Sequence, residues 1–170
     1  MKLDLIIWSL GINGEGSSLV SIGIIKSTLK NKENKNLKIV ISNSSVLYNH
    51  LLNEGILKKY NKKILVFPKY FRNYIIQAFL KLFFPINLIC RSLITLDDFP
   101  FLRHENQILY FQQAGMIYGE NIKWKLRKLL FSFLIRKELI IYTQTKHIRD
   151  KLYLKYKLLK TQFITILHII

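Results

Sequence analysis

With a single cysteine, Cys90, this 170-residue chain can form no internal disulfide and no cysteine-based zinc site. A reducing compartment is the easier setting, and Cys90 reads as an inert core thiol. The four histidines, His50, His104, His147 and His168, are scattered. None has a carboxylate or second histidine at the spacing that sets metal ligands on one helix face, so no metal site is expected. Three prolines and seven glycines leave no Pro/Gly/Ser linker, and no repeat or second-domain boundary is visible, so residues 1–170 read as one domain. No apolar run reaches the roughly 20 residues of a membrane span. The nearest, "YIIQAFLKLFFPINLIC", is interrupted by Lys81 and Pro85 and reads as a helix that is buried or lies on a membrane. The opening "MKLD" sets an acid where the apolar region of a signal peptide would begin, so no export signal is expected.

Acids are scarce as well. Ten Asp and Glu stand against 27 Lys and Arg, a formal charge of +17. Such an excess favours an anionic partner: a membrane surface, a phosphate-bearing ligand or nucleic acid. A lysine- and asparagine-rich composition, in which Lys is the default solvated residue, is the competing account. Nucleic acid is the weakest of the partners, because no recognition helix, zinc finger or RNP-like motif is present and the aromatics sit in apolar runs.

Half of the residues are apolar, and they alternate between two patterns. Short continuous runs at Leu3 to Ser9, Leu37 to Ile41, Lys63 to Phe67, Leu93 to Leu96, Ile108 to Phe111, Leu139 to Thr143 and Phe163 to Leu167 have the look of strands buried on both faces. Between them lie helical segments. One is opened by Ser17 and Ser18 and runs to Lys30, with Leu19, Ile22, Ile25 and Leu29 on one face; another runs from Ser44 or Ser45 to Glu54 with Gly55 as its stop. Further helices are expected over Arg72 to Phe84, Asn121 to Lys137 and Lys146 to Lys157. In the second of these, Ile122, Leu126, Leu129, Leu130 and Phe133 form an apolar stripe, with Lys123, Lys125, Arg127 and Lys128 largely off it. Strand–helix–strand alternation means a parallel sheet. The fold class is therefore α/β: a doubly wound, Rossmann-like parallel sheet of about seven strands with helices on both faces.

Ligands of such sheets collect at the carboxyl ends of the strands. Four segments occupy that position. "GINGEGSS" holds Gly14, Glu15, Gly16 and Ser17 at a helix N-terminus, where free N–H groups favour an anion, although a tight turn explains the glycines equally well. "LDDFPFLR" carries Asp97 and Asp98, of which at most one faces a cleft; Asp98 is the candidate, with a loop-forming Asx role as its alternative. "YFQQAGM" places Gln112 and Gln113 after a strand, and "YTQT" does the same for Thr143, Gln144 and Thr145. Neutral amides and hydroxyls bind hydroxyl-rich ligands without burying charge. Thr145 serves as well as the N-cap of the next helix.

"ILYFQQAGMIY", the basic-apolar "WKLRKLLFSFLIRKE" and then "LIIYTQTKHIRDKL" resemble, in that order, the N-terminal domain of retaining GT-B glycosyltransferases of the large family 4 type. The resemblance implies an acceptor-binding half, with Gly14 to Gly16 beside the donor diphosphate and Gln112, Gln113 and Thr145 lining the interdomain cleft. Lys146 stands where the family often has an acid. No cofactor is implied, because the nucleotide-sugar donor is held by the donor-binding C-terminal domain, so the chain is expected to be truncated or one part of a split enzyme and inactive alone. Family members building surface polysaccharides or lipopolysaccharide use lipid-linked acceptors, which makes a cytoplasmic position at the inner face of the membrane the expectation. Lys123, Lys125, Arg127 and Lys128 are the expected contacts with the anionic surface, since clustered cations gain roughly 1 kcal/mol each there. The alternative is a non-catalytic membrane-associated or partner-binding subunit of the same fold.

Overall fold

The computed structural model describes residues 2–12, 14–31, 36–97, 99–112, 115–158 and 163–165. Its strands are β1 (Leu3–Trp8), β2 (Leu37–Ser42), β3 (Ile64–Phe67), β4 (Cys90–Thr95), β5 (Gln107–Phe111), β6 (Ile140–Thr143) and β7 (Phe163–Thr165). All pair in parallel in one sheet of order β3-β2-β1-β4-β5-β6-β7. The helices are α1 (Glu15–Lys30), α2 (Val46–Asn53), α3 (Ile56–Lys59), α4 (Tyr74–Phe83), α5 (Ile86–Ile89), α6 (Gly115–Tyr118), α7 (Ile122–Leu134) and α8 (Lys146–Tyr156), with a 3-10 turn over Lys69–Arg72. This is the doubly wound, Rossmann-like class.

Period-two alternation distributes the apolar strand residues between two layers. Leu5, Ile7, Ile39 and Ile41 pack with Ile22, Ile25, Leu47 and Leu51 of α1 and α2. On the opposite face Ile6, Trp8, Val40 and Leu93 meet Ile86 and Phe101, with Leu80 and Phe84 against them. Further along that face Leu109, Phe111 and Ile141 pack with Phe131, Leu134 and Leu152 of α7 and α8. Each such side chain contributes roughly 1.5–3 kcal/mol by burial. Connections from β1 run outward through β2 to β3, whereas those from β4 run the other way through β5 to β7. The order therefore reverses between β1 and β4, and the loops after these two strands diverge and leave a crevice at the carboxyl edge.

Three helices differ from the sequence expectation. The N-cap of α1 is Gly14, and both Ser17 and Ser18 lie inside the first turn, donating back to its carbonyl at 2.9 and 2.7 Å. Leu19 is exposed, and Ser18 and Ser21 take inward positions beside Ile22, Ile25 and Leu29. In α7 the stripe of Ile122, Leu126, Leu129 and Phe133 faces outward, between 55% and 77% exposed. The core side is Phe131 and Leu134, with Trp124 and Leu130 half-buried. Helix α4 is also turned outward: Ile75, Phe79 and Phe83 are exposed, while Gln77 and Lys81 are buried. Spacing identified each helix but not which stripe meets the sheet. Leu167, expected in the last strand, lies outside the described residues.

Candidate functional site

The crevice between β1 and β4 is organised around one buried ion pair. Leu96 and Asp97 continue β4, and the Leu96 N–H donates to the Trp8 carbonyl at 2.9 Å, which fixes Asp97 opposite the loop after β1. Lys81 reaches in from α4 and donates through Nζ to Asp97 Oδ1 and to the Phe99 carbonyl. The two side chains are 0% and 5% exposed. Burial pushes the Asp97 carboxyl up, and the Lys81 ammonium and the N–H groups of Gly11 and Phe99 oppose it. Its second oxygen, Oδ2, makes no bond of ordinary geometry.

Glycine at position 11 leaves room for this close approach. A Cβ there would stand 3.0 Å from Asp97 Cβ and 3.2 Å from Oδ2. Gln77, one turn before Lys81, accepts the Trp8 indole N–H at 3.2 Å and donates to the Phe71 carbonyl. These bonds satisfy a polar face of α4 that would otherwise be costly to bury.

Two arginines complete the walls. Arg72 donates to the Ser44 carbonyl at 3.0 Å, and its Nε is buried without a partner. The Arg127 guanidinium stacks 5.0 Å from the Tyr74 ring centre and 4.9 Å from that of Trp124, which joins α7 to α4. Arg72, Lys81 and Arg127 thus surround one carboxylate, and the cleft is cationic. Its volume is about 40 Å³, above the roughly 10–15 Å³ that a single water needs. It accepts a water-sized group or the tip of a ligand lying across the sheet edge.

The described candidate residues fall at that edge because each follows a strand of one parallel sheet. Glu15 and Gly16 are exposed on the first turn of α1, and open space surrounds Gly16. An acid in the first turn offsets the partial positive charge there, so this N-terminus is a weaker anion site than its glycines suggest. Ser17 donates its hydroxyl within the turn. Gln112 donates to the Leu96 carbonyl at 3.4 Å, which ties β5 to the Asp97 loop, and its Oε1 is buried without a partner. Thr143 is buried, and Thr145 caps α8 by accepting from the Ile148 N–H at 3.2 Å. Asp98 and Gln113 lie outside the described residues.

The four cations expected on one surface divide. Lys123 and Lys125 are exposed. Arg127 turns to the cleft, and Lys128 donates to the Gly119 carbonyl. The sequence reading missed Lys81, Gln77, Arg72 and the Tyr118–His147 pair, whose hydroxyl and Nε2 lie 2.6 Å apart at the same edge. Gln77 and Lys81, four residues apart in an otherwise apolar run, were the signal for an inward polar face.

Among the described residues no group of three His, Cys, Asp or Glu could hold a metal ion, and no helix is long and apolar enough to cross a membrane. The fold and its switch-point cleft define a Rossmann-like α/β domain. Comparison with protein-family models, curated proteins and solved structures finds no match.

Proposed function

We propose that the chain is the acceptor-binding half of a glycosyltransferase, moving a sugar from a nucleotide-sugar donor to a lipid-linked saccharide at the inner face of the cytoplasmic membrane. The sequence resemblance supports the reaction class. The observation that carries the membrane-borne acceptor is the outer surface of α4 and α7. These neighbours, joined through Tyr74 and Arg127, leave Ile75, Phe79 and Phe83 on one helix and Ile122, Leu126, Leu129 and Phe133 on the other uncovered. Exposed apolar side chains repeated along two adjoining helices mark a docking face. Lys69, Lys123 and Lys125 are exposed at the end of these helices nearest the cleft, which suits an anionic leaflet. An acceptor drawn from that leaflet would enter beside the cleft.

Two measurements test the reading. Co-sedimentation with phosphatidylglycerol vesicles should exceed that with neutral vesicles, fade with salt and be lost in a Phe79→Ser/Leu129→Ser variant. Unchanged binding by that variant, or self-association through the same residues without vesicle binding, would remove the membrane face. Transfer from a nucleotide sugar should be absent with the chain alone and appear when a matching donor-binding half is supplied; robust turnover by the chain alone would refute the half-enzyme reading.

A second reading, a non-catalytic partner-binding subunit, is favoured by a different surface. On the sheet face opposite α7, the buried Tyr110 and half-buried Tyr142 stack at 5.5 Å, and Ile140 and Ile164 beside them are exposed. A sheet face of this composition is ordinarily covered. No transfer with any donor half, together with a stable complex through this face, would favour that reading.

A further inference from the structure

At the opposite, amino edge of the sheet lies a larger cleft of about 550 Å³, within the roughly 300–1,000 Å³ range of small-molecule sites. It is assembled from segments distant in sequence: Lys2 before β1, Arg91 in β4, Arg103 and His104 before β5, and Arg136 between α7 and β6. Among the described residues that line it, Glu105 is the only acid. Among the described residues neither Lys2, Arg91 nor Arg103 meets a carboxylate at ion-pair distance.

Arginine usage separates this cleft from the general positive charge. Of the 27 basic residues only six are arginine and 21 are lysine, so a solvated surface in this chain is a lysine surface. Three of the six arginines nevertheless face this one space. Guanidinium forks match phosphate oxygens two at a time, whereas ammonium groups act as point charges. Beneath them His104 is 5% exposed, and its buried Nδ1 makes no hydrogen bond of ordinary geometry. Its Nε2 lies 3.4 Å from the Cys90 carbonyl and 3.5 Å from Cys90 Sγ. Asn106 is pinned to Ser92 by a 2.8 Å bond, which holds the His104 loop against β4. Lys2, Arg91 and Arg103, gathered around a single described acid, repel one another, and a multiply charged anion relieves that repulsion.

We infer that this amino-edge cleft binds a phosphate-bearing small molecule, held by Arg91, Arg103, Arg136 and Lys2 above the buried His104. The site is separate from the switch-point cleft and independent of the proposed glycosyl transfer. The phosphate could belong to a free metabolite or to a lipid headgroup.

Inorganic pyrophosphate, titrated calorimetrically into the whole chain, should bind saturably at one site. Arg91→Ala/Arg103→Ala should weaken it about ten-fold or more, since hydrogen bonds to charged groups contribute roughly 1.5–3 kcal/mol each. The charge-matched Lys58→Ala/Lys62→Ala variant, altered on exposed or half-exposed lysines remote from this cleft, should bind as the parent does. In the unmutated chain the His104 ring protons should shift with the same saturation curve, which keeps the test independent of variant folding. Competition by dihexanoyl phosphatidic acid at lower concentration than pyrophosphate would assign the phosphate to a headgroup, and weaker competition would assign it to a free metabolite. Equal weakening in both double variants, non-saturable binding, or a silent His104 would each overturn the site and leave only the diffuse field of the +17 chain.

Discussion

Lys81→Met removes one member of the buried pair and keeps most of the side-chain stem. Its cost follows from what Asp97 can then do. A buried carboxylate deprived of its partner destabilises a protein by about 3–5 kcal/mol. Protonation sets a ceiling on the loss, because a group with an ordinary value of 3.8 takes a proton at pH 7 for about 1.4 kcal/mol per pH unit, or about 4 kcal/mol in all. At pH 5 the same ceiling falls to a little under about 2 kcal/mol. Urea unfolding of parent and variant at the two pH values should therefore show a large gap at pH 7 that narrows by more than half at pH 5. The double variant Lys81→Met/Asp97→Asn should lose less than Lys81→Met alone at pH 7 and show no such narrowing, since no buried carboxylate remains. A pH-independent loss in Lys81→Met, or a double variant worse than the sum of its parts, would falsify the assignment of an ionised Asp97 to the switch point.

Gly11→Ala should destabilise by about 1–3 kcal/mol through overpacking against Asp97, whereas Gly16→Ala, surrounded by open space, should be neutral or stabilise by up to about 1 kcal/mol; thermal melts of the two decide it. Burial is the main cause holding His104 below its usual 6.5, with Lys2 adding to it and the Cys90 and Asn106 carbonyls and Glu105 opposing it. Its neutral form is the folded one, so its contribution to stability is present above pH 6.5 and is lost as pH falls through the depressed folded value. The stability difference between parent and His104→Gln should shrink over that window, and a constant difference would rule it out. Burial raises the Cys90 thiol to about 11, so alkylation by iodoacetamide at pH 8 should be slow in the folded chain and fast in urea; equal rates would contradict a buried Cys90. Phe79→Ser and Leu129→Ser should each change stability by less than about 0.5 kcal/mol, the usual range at exposed positions, and a large loss would show that these side chains are covered.

The sheet was legible because continuous apolar runs leave few alternatives to a parallel strand. The seven strands among the described residues were all anticipated, although β4 begins at Cys90, three residues before the expected Leu93. Helix caps were half legible. Ser45 and Asn121 cap α2 and α7 through the bonds their side chains accept, and Gly55 takes a φ of 69° after α2, as the turn there requires. Helix α1 begins earlier than its serines suggested, since a hydroxyl can donate back into the helix as readily as it can cap it. The four strand-end segments could be placed on one edge by topology alone. The central pair could not, because Asp97 and Lys81 are sixteen residues apart in sequence and meet only through the crossover between β3 and β4.

The inverted faces of α4 and α7 follow from the same crossover. Both helices run from the carboxyl edge of the sheet toward its amino edge, so their first turns overlook the switch point. A helix in that position must direct polar side chains inward to reach the crevice: Gln77 and Lys81 do so from α4 and Arg127 from α7. Positions i, i+4 and i+8 share one face, so once Gln77 and Lys81 point inward, the row Ile75, Phe79 and Phe83 is carried outward with them. Had these outward positions been polar, both helices would be ordinary solvated helices with a polar patch inside. They are instead Ile, Leu and Phe, and the Phe79 and Phe83 rings meet at 4.9 Å, tilted by 45°, on the outside of the molecule. The cleft therefore explains why polar groups point inward, but it does not require apolar groups outside. That second feature needs its own cause, and a surface that covers α4 and α7 while leaving the carboxyl edge open supplies one.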